Sequence, residues 1–487
     1  MRLVTVTAAA AAAAALLVAA AAVGVVQAEE MCGVCACASG GAAPALNCSG
    51  RGLQRHFAND SESEEAGWLW ADDMLGVVSA DFSHNDLVRV HKFPTLPALR
   101  VLDLSHNRIE EIDPAAFEQL QNLTELDLSN NELVTAALKP IVFQGLYAMP
   151  EYMPLKSLRR LSLANNVLHA LDSDVFDHIE KLEVLDLRGN KFSIISQVTA
   201  DAIGSLFHLK SLDLSFCDIE ALPETFLHPP KDLQQLWLAG NRFTKLPDEL
   251  KNSHNLSLLD LSQNPIPEIS KAQPFPASLE SLTTLVMTYM PALRVVDGSA
   301  MANLTGLREL QLHHNPRLSE LRGELPYSLR KIWLNDNNLS RLEGAQELGR
   351  SNMLKLVDIR YNPWVCDCDT QWMVTVLTPL INRTTPELLT GAGCEHPEEM
   401  RGKTFAWMWR SGYNMRCLPT DGSKPERDAA MLVGVLLGLL LGMALLGVAI
   451  FLHRRRLLPT CLTCETGPAA FSRGFYKRAG PATDEMY

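Results

Sequence analysis

Cysteines form the densest group of chemically reactive side chains in this chain of 487 residues. Thiolates close together in sequence either form disulfides or bind zinc. Neither cysteine cluster contains the two C-x2-C pairs or the histidine ligands of a zinc site, so we expect disulfides and no metal. Four cysteines in each cluster allow three pairings. The expected disulfide cysteines are Cys32, Cys35, Cys37 and Cys48, and then Cys366, Cys368, Cys394 and Cys417.

Common catalytic motifs are missing from the sequence. It contains no G-x-S-x-G, no H-E-x-x-H, no P-loop and no G-x-G-x-x-G, which are the patterns of hydrolase, metalloprotease, phosphate-binding and dinucleotide-binding sites. The chain is acidic, with a net charge of −13 and a pI of about 5.5, and nucleic-acid binding needs a basic surface. We therefore predict a protein that is not an enzyme, holds no cofactor and does not bind nucleic acid.

Several aromatic side chains and one histidine could instead bind a ligand by direct contact. They fall where a short strand would point its side chains away from the core, and large rings bury much area at low entropic cost. We predict that they form a protein-binding face. The alternative is that glycans or neighbouring strands cover them. The candidate ligand-binding residues are Phe216, Trp237, Tyr289, His313, Trp333 and Tyr361.

These candidates take their positions from an internal repeat. Segments such as Leu99–Ile109 and Leu123–Leu133 fit L-x-x-L-x-L-x-x-N-x-L, and we count 12 copies whose Asn positions follow one another at about 25 residues. Each x-L-x-L-x run predicts a short strand with inward leucines, and stacked copies form a continuous core beneath a parallel sheet. Repeats 1 to 12 begin at Val77, Leu99, Leu123, Leu158, Leu182, Leu209, Leu233, Leu256, Leu282, Leu307, Leu329 and Leu354.

Two polar positions of the repeat have structural explanations. A buried Asn can satisfy main-chain groups where the chain turns out of the strand, so repeated Asn residues would form a ladder. Met290 and Cys217 replace the Asn in two repeats; the cysteine is either a small buried group with a weak donor or a reactive thiol. The position between the two inward leucines is mostly aspartate. These aspartates are either solvated residues of the ordinary repeat consensus or an acidic ligand-binding row: Asp81, Asp103, Asp127, Asp186, Asp213, Asp260 and Asp358.

One repeat is longer than the others. The step from Asn131 to Asn166 is 35 residues, about ten more than the mean, and the extra residues lie within Val134–Ser157. The sequence leaves two interpretations open. The insertion is either a tolerated loop on the outer face or a contact for a partner, because long insertions are often functional.

The repeats resemble those of the leucine-rich repeat family over about 60% of the chain, and the two cysteine clusters resemble the flanking caps of its extracellular members. The resemblance implies an α/β-type solenoid: a leucine-rich repeat horseshoe with a parallel β-sheet on its concave face and disulfide caps at both ends. The ectodomain also resembles that of Toll-like receptors, but the 35-residue tail is too short for their signalling domain. The resemblance further implies the pairs Cys32–Cys37, Cys35–Cys48, Cys366–Cys394 and Cys368–Cys417.

Two apolar segments direct the chain to a membrane. Residues 1–28 have the positive start, the Ala/Leu/Val run and the small-residue cleavage site of a signal peptide. Ala429 to Leu452 is an uncharged run of 24 residues, long enough as a helix to cross a bilayer. The basic residues that follow put the C-terminus in the cytoplasm by the positive-inside rule. We predict a type I single-pass plasma-membrane protein, with a net charge near −17 outside and +3 inside.

The predicted membrane helix and tail carry further candidate sites. Small residues at every fourth position of a membrane helix let two helices approach closely, so we predict a homodimer contact at Gly434, Gly438 and Gly442. Cysteines just inside the membrane, Cys461 and Cys464, are predicted palmitoylation sites. N-x-[ST] sequons predict N-glycosylation at Asn59, Asn122, Asn255, Asn303, Asn338 and Asn382.

Together these observations predict a cell-surface glycoprotein that binds a protein ligand or adhesion partner through its ectodomain. The alternative is an accessory subunit that modulates another membrane protein, a channel or receptor, in cis. The predicted boundaries are a signal peptide at 1–28, an N-terminal cap at 29–74, the repeats at 75–364, a C-terminal cap at 365–420, a linker at 421–428, the membrane helix at 429–452 and a cytoplasmic tail at 453–487.

Overall fold

A computed structural model describes most of the chain. The described residues are 31–38, 44–56, 75–148, 151–344, 348, 353–417 and 425–455. The predicted signal peptide, the sequon at Asn59 and the palmitoylation sites Cys461 and Cys464 lie outside them. The chain divides into two compact units, Met1–Arg416 and Cys417–Tyr487, and each is described by itself.

A 14-stranded sheet is the main element of the first unit. Strands Ala36–Ala38 and Ala45–Asn47 pair antiparallel at its start, and every later neighbour is parallel. Each predicted repeat supplies one strand, which confirms the α/β solenoid. The repeat strands are Ser79–Asp81, Val101–Asp103, Glu125–Asp127, Arg160–Ser162, Val184–Asp186, Ser211–Asp213, Gln235–Trp237, Leu258–Asp260, Thr284–Val286, Glu309–Gln311, Lys331–Trp333 and Leu356–Asp358.

Alternation along each strand divides core from surface. In repeat 2, Leu102 is buried while Val101 and Asp103 are partly exposed, because successive strand residues point to opposite faces. Burying one leucine contributes about 1.5–3 kcal/mol, and the stacked repeats place their leucines in one core. We call the opposite, solvent-facing side of the 14-stranded sheet the sheet face.

Short elements on the other side of the core complete the repeats. Helix Gln197–Gly204 is N-capped by Ser196, whose side chain accepts the Thr199 N–H. A three-stranded parallel sheet joins Glu268–Ile269, Val295–Asp297 and Glu320–Arg322, and Arg89–Val90 pairs with Glu111–Ile112. The 3-10 helices in the repeats are Thr135–Ala137, Pro140–Phe143, Asp177–Ile179, Asp248–Asn252, Ala277–Ser281 and Gly298–Met301.

The asparagine ladder forms as predicted from the repeat. Asn107 is typical: its Nδ2 donates to the carbonyls of Phe82 and Leu104, both at 3.0 Å, and its Oδ1 accepts the Leu87 N–H at 3.1 Å. Each such side chain therefore bonds to its own repeat and to the preceding one. The ladder satisfies main-chain groups that have no partner in the sheet.

Cys217 occupies the ladder position of repeat 6. Its Sγ donates to the carbonyls of Leu187 and Ser215 at 3.3 and 3.4 Å. The side chain is fully buried, and burial raises the pKa of the thiol to about 12. A neutral, inaccessible thiol favours the structural interpretation over a reactive one.

The insertion after repeat 3 folds as a β-hairpin. Strands Gln144–Ala148 and Glu151–Pro154 pair antiparallel, and no third strand joins them among the described residues. Gly145 lies against the hairpin partner, because a Cβ there would stand 2.1 Å from the Met153 carbonyl oxygen. The insertion is thus an ordered element, and its role as a partner contact stays a prediction.

Disulfide caps close both ends of the array. The structure contains Cys32–Cys37, Cys35–Cys48 and Cys366–Cys394, three of the four pairs that the family resemblance implies. The pairing of Cys368 with Cys417 stays a prediction. Elements of the caps are helices Met31–Val34, Thr378–Thr384 and Phe405–Ser411, the π-helix Met373–Leu377, 3-10 helices Pro386–Leu389 and Glu398–Met400, and the paired strands Trp364–Val365 and Cys394–His396.

The main described element of the second unit is helix Pro425–Arg454. Its segment Ala429–Arg454 is long and apolar enough to cross a membrane, with a mean hydropathy of 2.8 over an 18-residue window. The predicted span ended two residues earlier, at Leu452. The three glycines of the proposed dimer contact lie on this helix, and dimerisation through them stays a prediction.

Candidate functional site

Two tryptophans replace aspartate on the sheet face. Trp237 and Trp333 each follow the central leucine or isoleucine of their strand and are half-buried. Parallel pairing places Trp237 beside Asp213 and Asp260, and four strand steps separate it from Trp333. At the usual strand spacing the two indoles are about 19 Å apart. They form two separate anchor points on one surface.

The turn that follows each strand adds a second row. In all twelve repeats the residue before the ladder position has a positive φ, between 53° and 70°. Only glycine adopts this conformation freely, and asparagine or aspartate tolerates it. The twelve residues are His84, His106, Asn130, Asn165, Gly189, Phe216, Gly240, Gln263, Tyr289, His314, Asp336 and Tyr361.

Three members of this row are large aromatic residues. Phe216, Tyr289 and Tyr361 have φ values of 57°, 54° and 54°, and their exposed fractions are 50%, 53% and 59%. A left-handed backbone costs a non-glycine residue about 1–2 kcal/mol. Half-exposed rings recover little of that cost by burial. The fold alone therefore does not explain why aromatic residues occupy these turns.

Phe216 and Tyr289 lie against the next repeat, and Tyr361 lies against the C-terminal cap. A Cβ on Gly240 would stand 2.2 Å from the Phe216 ring, and one on Gly391 would stand 3.0 Å from the Tyr361 ring. Tyr289 stacks on His314, with ring centroids 4.7 Å apart and planes at 19°. The rings are held in place by contacts that leave one face open to solvent.

A histidine pair lies beside Tyr289. Nδ1 of His313 and Nδ1 of His314 are 2.7 Å apart, and the Tyr289 ring meets His313 edge-on at 6.3 Å. Burial, followed by the neighbouring His314, lowers the pKa of His313. Of the six predicted residues, the structure therefore brings Tyr289 and His313 into contact with each other.

Three apolar residues of the sheet face escaped the sequence analysis. Leu258, Val286 and Leu356 are partly buried at strand positions beside or between the two tryptophans. In sequence they look like core leucines and valines, because a leucine-rich repeat contains many. Their strand register is the signal that distinguishes them: each flanks a buried central residue, so each points away from the core.

The aspartate row has a structural role. In seven repeats the Asp Oδ1 accepts the main-chain N–H two residues later, at 2.8–3.2 Å. Such Asx bonds fix the turn that leaves the strand. Burial raises the pKa of Asp186 and of Asp260, so desolvation already disfavours their charged form. A ligand on top of these carboxylates would desolvate them further. The turn interpretation is favoured over an acidic ligand-binding row.

Predicted glycosylation sites lie off the strands. Asn122, Asn255, Asn303 and Asn338 are exposed and Asn382 is half-buried, and none of these five belongs to a strand of the sheet. Nδ2 of Asn122 donates to the Pro97 carbonyl at 2.8 Å, and Nδ2 of Asn255 donates to the Lys231 carbonyl at 2.8 Å. Both side chains sit in turns before their strands. Glycosylation itself stays a prediction.

Comparison with known families agrees with this geometry. The leucine rich repeat family matches residues 81–147, 156–210 and 207–266. The chain carries leucine-rich repeats. Mouse podocan-like protein 1 is 27% identical over 58% of this chain and 59% of its own length, and rat lumican is 28% identical over 50% and 75%. Mouse Toll-like receptor 7 is 27% identical over 63% of this chain and 27% of its own length.

This chain spans little more than half the length of the podocan-like proteins it matches: 59% of the mouse protein and 51% of the human protein. Among solved structures, an internalin of Listeria monocytogenes aligns at 18% identity and a TM-score of 0.40, covering 62% of this chain and 87% of the internalin. A chain of the octameric complex of Latrophilin 3, Unc5D and FLRT2 aligns at 20% identity and a TM-score of 0.42, covering 77% and 96%.

Proposed function

We propose that this chain is a cell-surface glycoprotein that binds a protein ligand or adhesion partner, without catalysis, through the sheet face of repeats 6 to 12. The observation that carries the proposal is the aromatic set at left-handed turns: Phe216, Tyr289 and Tyr361 are strained in the backbone and half-exposed in the side chain. Strained residues that face solvent commonly mark functional sites. Their rings supply the contact area on which protein recognition depends.

The size of the surface favours a protein as the ligand. The two tryptophan anchors are about 19 Å apart, farther than one small molecule reaches. Leu258 and Val286, both partly buried, lie in the strands between Trp237 and Trp333. Buried apolar anchors surrounded by polar groups are the usual centre of a protein interface.

Three observations support the proposed location. Disulfides persist in oxidising, extracellular surroundings, and both ends of the array contain them. The helix Ala429–Arg454 has the length and hydropathy of a membrane span. One relative is by name a receptor, Toll-like receptor 7. We propose a type I topology in the plasma membrane with the repeats outside.

A binding screen tests the proposed function. The full-length chain displayed on cells is exposed to a panel of secreted and cell-surface proteins. We expect capture of at least one, and expect Trp237→Asp with Trp333→Asp to abolish it, since a buried aromatic anchor contributes roughly 2 kcal/mol, or about 30-fold in Kd. The matched control is Phe207→Asp, at an aromatic residue outside this surface that is 62% exposed. Undiminished capture by the double variant at normal surface expression would contradict the proposal.

The second candidate function is an accessory subunit that acts on another membrane protein in cis. It is favoured by the small residues at 434, 438 and 442 of helix Pro425–Arg454, since small residues at every fourth position let a second helix approach closely. Exchanging residues 425–455 for an unrelated membrane helix separates the two functions. Ligand capture survives the exchange if the sheet face acts alone, whereas modulation of a partner channel or receptor is lost if the helix is required.

A further inference from the structure

Two adjacent histidines lie in the turn that follows the strand of repeat 10, at the edge of the sheet face. The 2.7 Å contact between Nδ1 of His313 and Nδ1 of His314 is a hydrogen bond. Such a bond needs a proton on one nitrogen and a free lone pair on the other. The pair therefore tolerates a proton on either Nδ1, but not on both.

Neighbouring groups make the two rings unequal. Nε2 of His314 faces Oδ2 of Asp336, in repeat 11, at 3.6 Å, so a positive charge on His314 is compensated. His313 is more enclosed, and burial and the charge of His314 lower its pKa. One protonated ring can therefore still donate its Nδ1–H to the neutral ring of the other.

Other charged and aromatic side chains also lie near the pair. Asp358 of repeat 12 favours a proton on His313 only weakly, because Arg360 already holds that carboxylate with two bonds, at 2.9 and 2.7 Å. Tyr289 of repeat 9 stacks on His314 and meets His313 edge-on. A second proton on the pair therefore takes the last free Nδ1 lone pair, and Asp336 and Asp358 favour it less than burial and His314 disfavour it.

We propose that the His313–His314 pair makes the sheet face sensitive to pH. At neutral pH the hydrogen bond holds the His314 ring beneath Tyr289. The second proton occupies the Nδ1 lone pair of His313, so two N–H groups on two cations face each other and the contact breaks. The stack with Tyr289 is then lost, and the surface between Trp237 and Trp333 changes shape.

The consequence for binding rests on the proposed function. If the sheet face binds a protein ligand, the pair permits binding at neutral pH and release in an acidic compartment. The lowered pKa of His313 places this second protonation on the acidic side of the ordinary histidine pKa of 6.5. The contact itself is a property of the chain and can be measured without any ligand.

Hydroxyl-radical footprinting read by mass spectrometry tests the proposal on the full-length chain. We expect oxidation of Tyr289 to rise between about pH 7 and about pH 5 as its ring loses the stack, relative to Phe207 as an exposed reference. His313→Asn keeps a hydrogen-bond acceptor but cannot take up the second proton. We expect this variant to show the same Tyr289 oxidation at both pH values.

A matched control comes from the same row of turns. His84 and His106 also stack, with centroids 4.3 Å apart in repeats 1 and 2, so His106→Asn removes one stacked histidine elsewhere and should retain the pH response of Tyr289. A response that persists in His313→Asn, or oxidation of Tyr289 that is the same at both pH values in the natural chain, would overturn the proposal. Failure of the tryptophan variants to affect ligand capture would instead overturn only the proposed function.

Discussion

Phe216 lies against Gly240, so closely that a Cβ on the glycine would stand 2.2 Å from Cδ1 of the ring. Gly240 also has a φ of +65°. The glycine of repeat 7 thus has two reasons to lack a side chain, one from its own backbone and one from the ring of repeat 6. The position of an exposed aromatic residue depends on its neighbour in the next repeat.

Gly240→Ala is therefore expected to destabilise the array and to displace the Phe216 ring. The backbone cost is about 1–2 kcal/mol, and the clash adds to it. Gly402→Ala is the control, because Gly402 has a φ of +77° with open space around it. Chemical unfolding followed by circular dichroism should show the larger loss for Gly240→Ala, and only that variant should weaken ligand capture. Equal losses for both variants would show that the ring contact contributes nothing.

The strain at Phe216 can be measured with two substitutions that both remove the ring. Phe216→Gly relieves the left-handed backbone, whereas Phe216→Ala retains the strain. We expect the glycine variant to be the more stable by about 1 kcal/mol. Both variants should lose ligand capture to the same degree. An alanine variant as stable as the glycine variant would disprove the strain.

The asparagine ladder predicts unequal costs for similar truncations. In repeat 8, Nδ2 of Asn264 donates to the carbonyls of Leu238 and Leu261 at 2.8 and 2.9 Å, and its Oδ1 accepts the Phe243 N–H at 3.1 Å. Asn264→Ala leaves these buried groups without partners and should cost about 3 kcal/mol in unfolding free energy. Cys217→Ala removes only a weak donor and should cost about 1 kcal/mol. The order of the two unfolding midpoints is the test.

Cys217 also predicts a pH dependence. Its folded pKa is about 12 against an ordinary value of 9.0, so above that ordinary value the unfolded chain releases a proton that the folded chain keeps. Stability is therefore complete below about pH 9 and falls as the pH rises, by about 1.4 kcal/mol per unit. Cys217→Ala should lack this component, so the difference between the two unfolding curves isolates it.

Alkylation gives an independent measurement of the same thiol. We expect iodoacetamide to leave Cys217 unmodified in the folded chain near neutral pH, since the thiolate is the reactive form and the side chain is buried. Modification should become complete in denaturant. Rapid labelling of Cys217 in the folded chain would support the reactive-thiol interpretation.

Much of the array follows from the repeat pattern alone. The spacing of leucines determines the strand positions, since a short strand with inward leucines can be buried only by stacking on its neighbours. Trp237 and Trp333 were identifiable because a large ring at a solvent-facing strand position has no structural explanation. Leu258 and Val286 were not, because an apolar residue in an apolar-rich repeat looks like core until its register is known.

Other features depend on contacts that no local pattern contains. The left-handed turn at Tyr289 precedes a ladder position occupied by Met290 rather than Asn, so the usual sequence signal is missing there. The hairpin of the insertion forms because Gly145 admits the Met153 main chain. The His313–His314 bond depends on two side-chain rotations within one turn. Each of these features depends on where the fold places the contacting groups in three dimensions.

The ladder also determines how the array would come apart. Because each Asn bonds to the preceding repeat, it couples nearest neighbours, and unfolding spreads from one repeat to the next through these bonds. The coupling is weakest at Cys217, whose sulfur is a poor donor, and at Met290, whose thioether has no N–H at all. Both positions lie within repeats 6 to 12, so both weakened links between neighbouring repeats fall in the part of the array that carries the proposed binding surface.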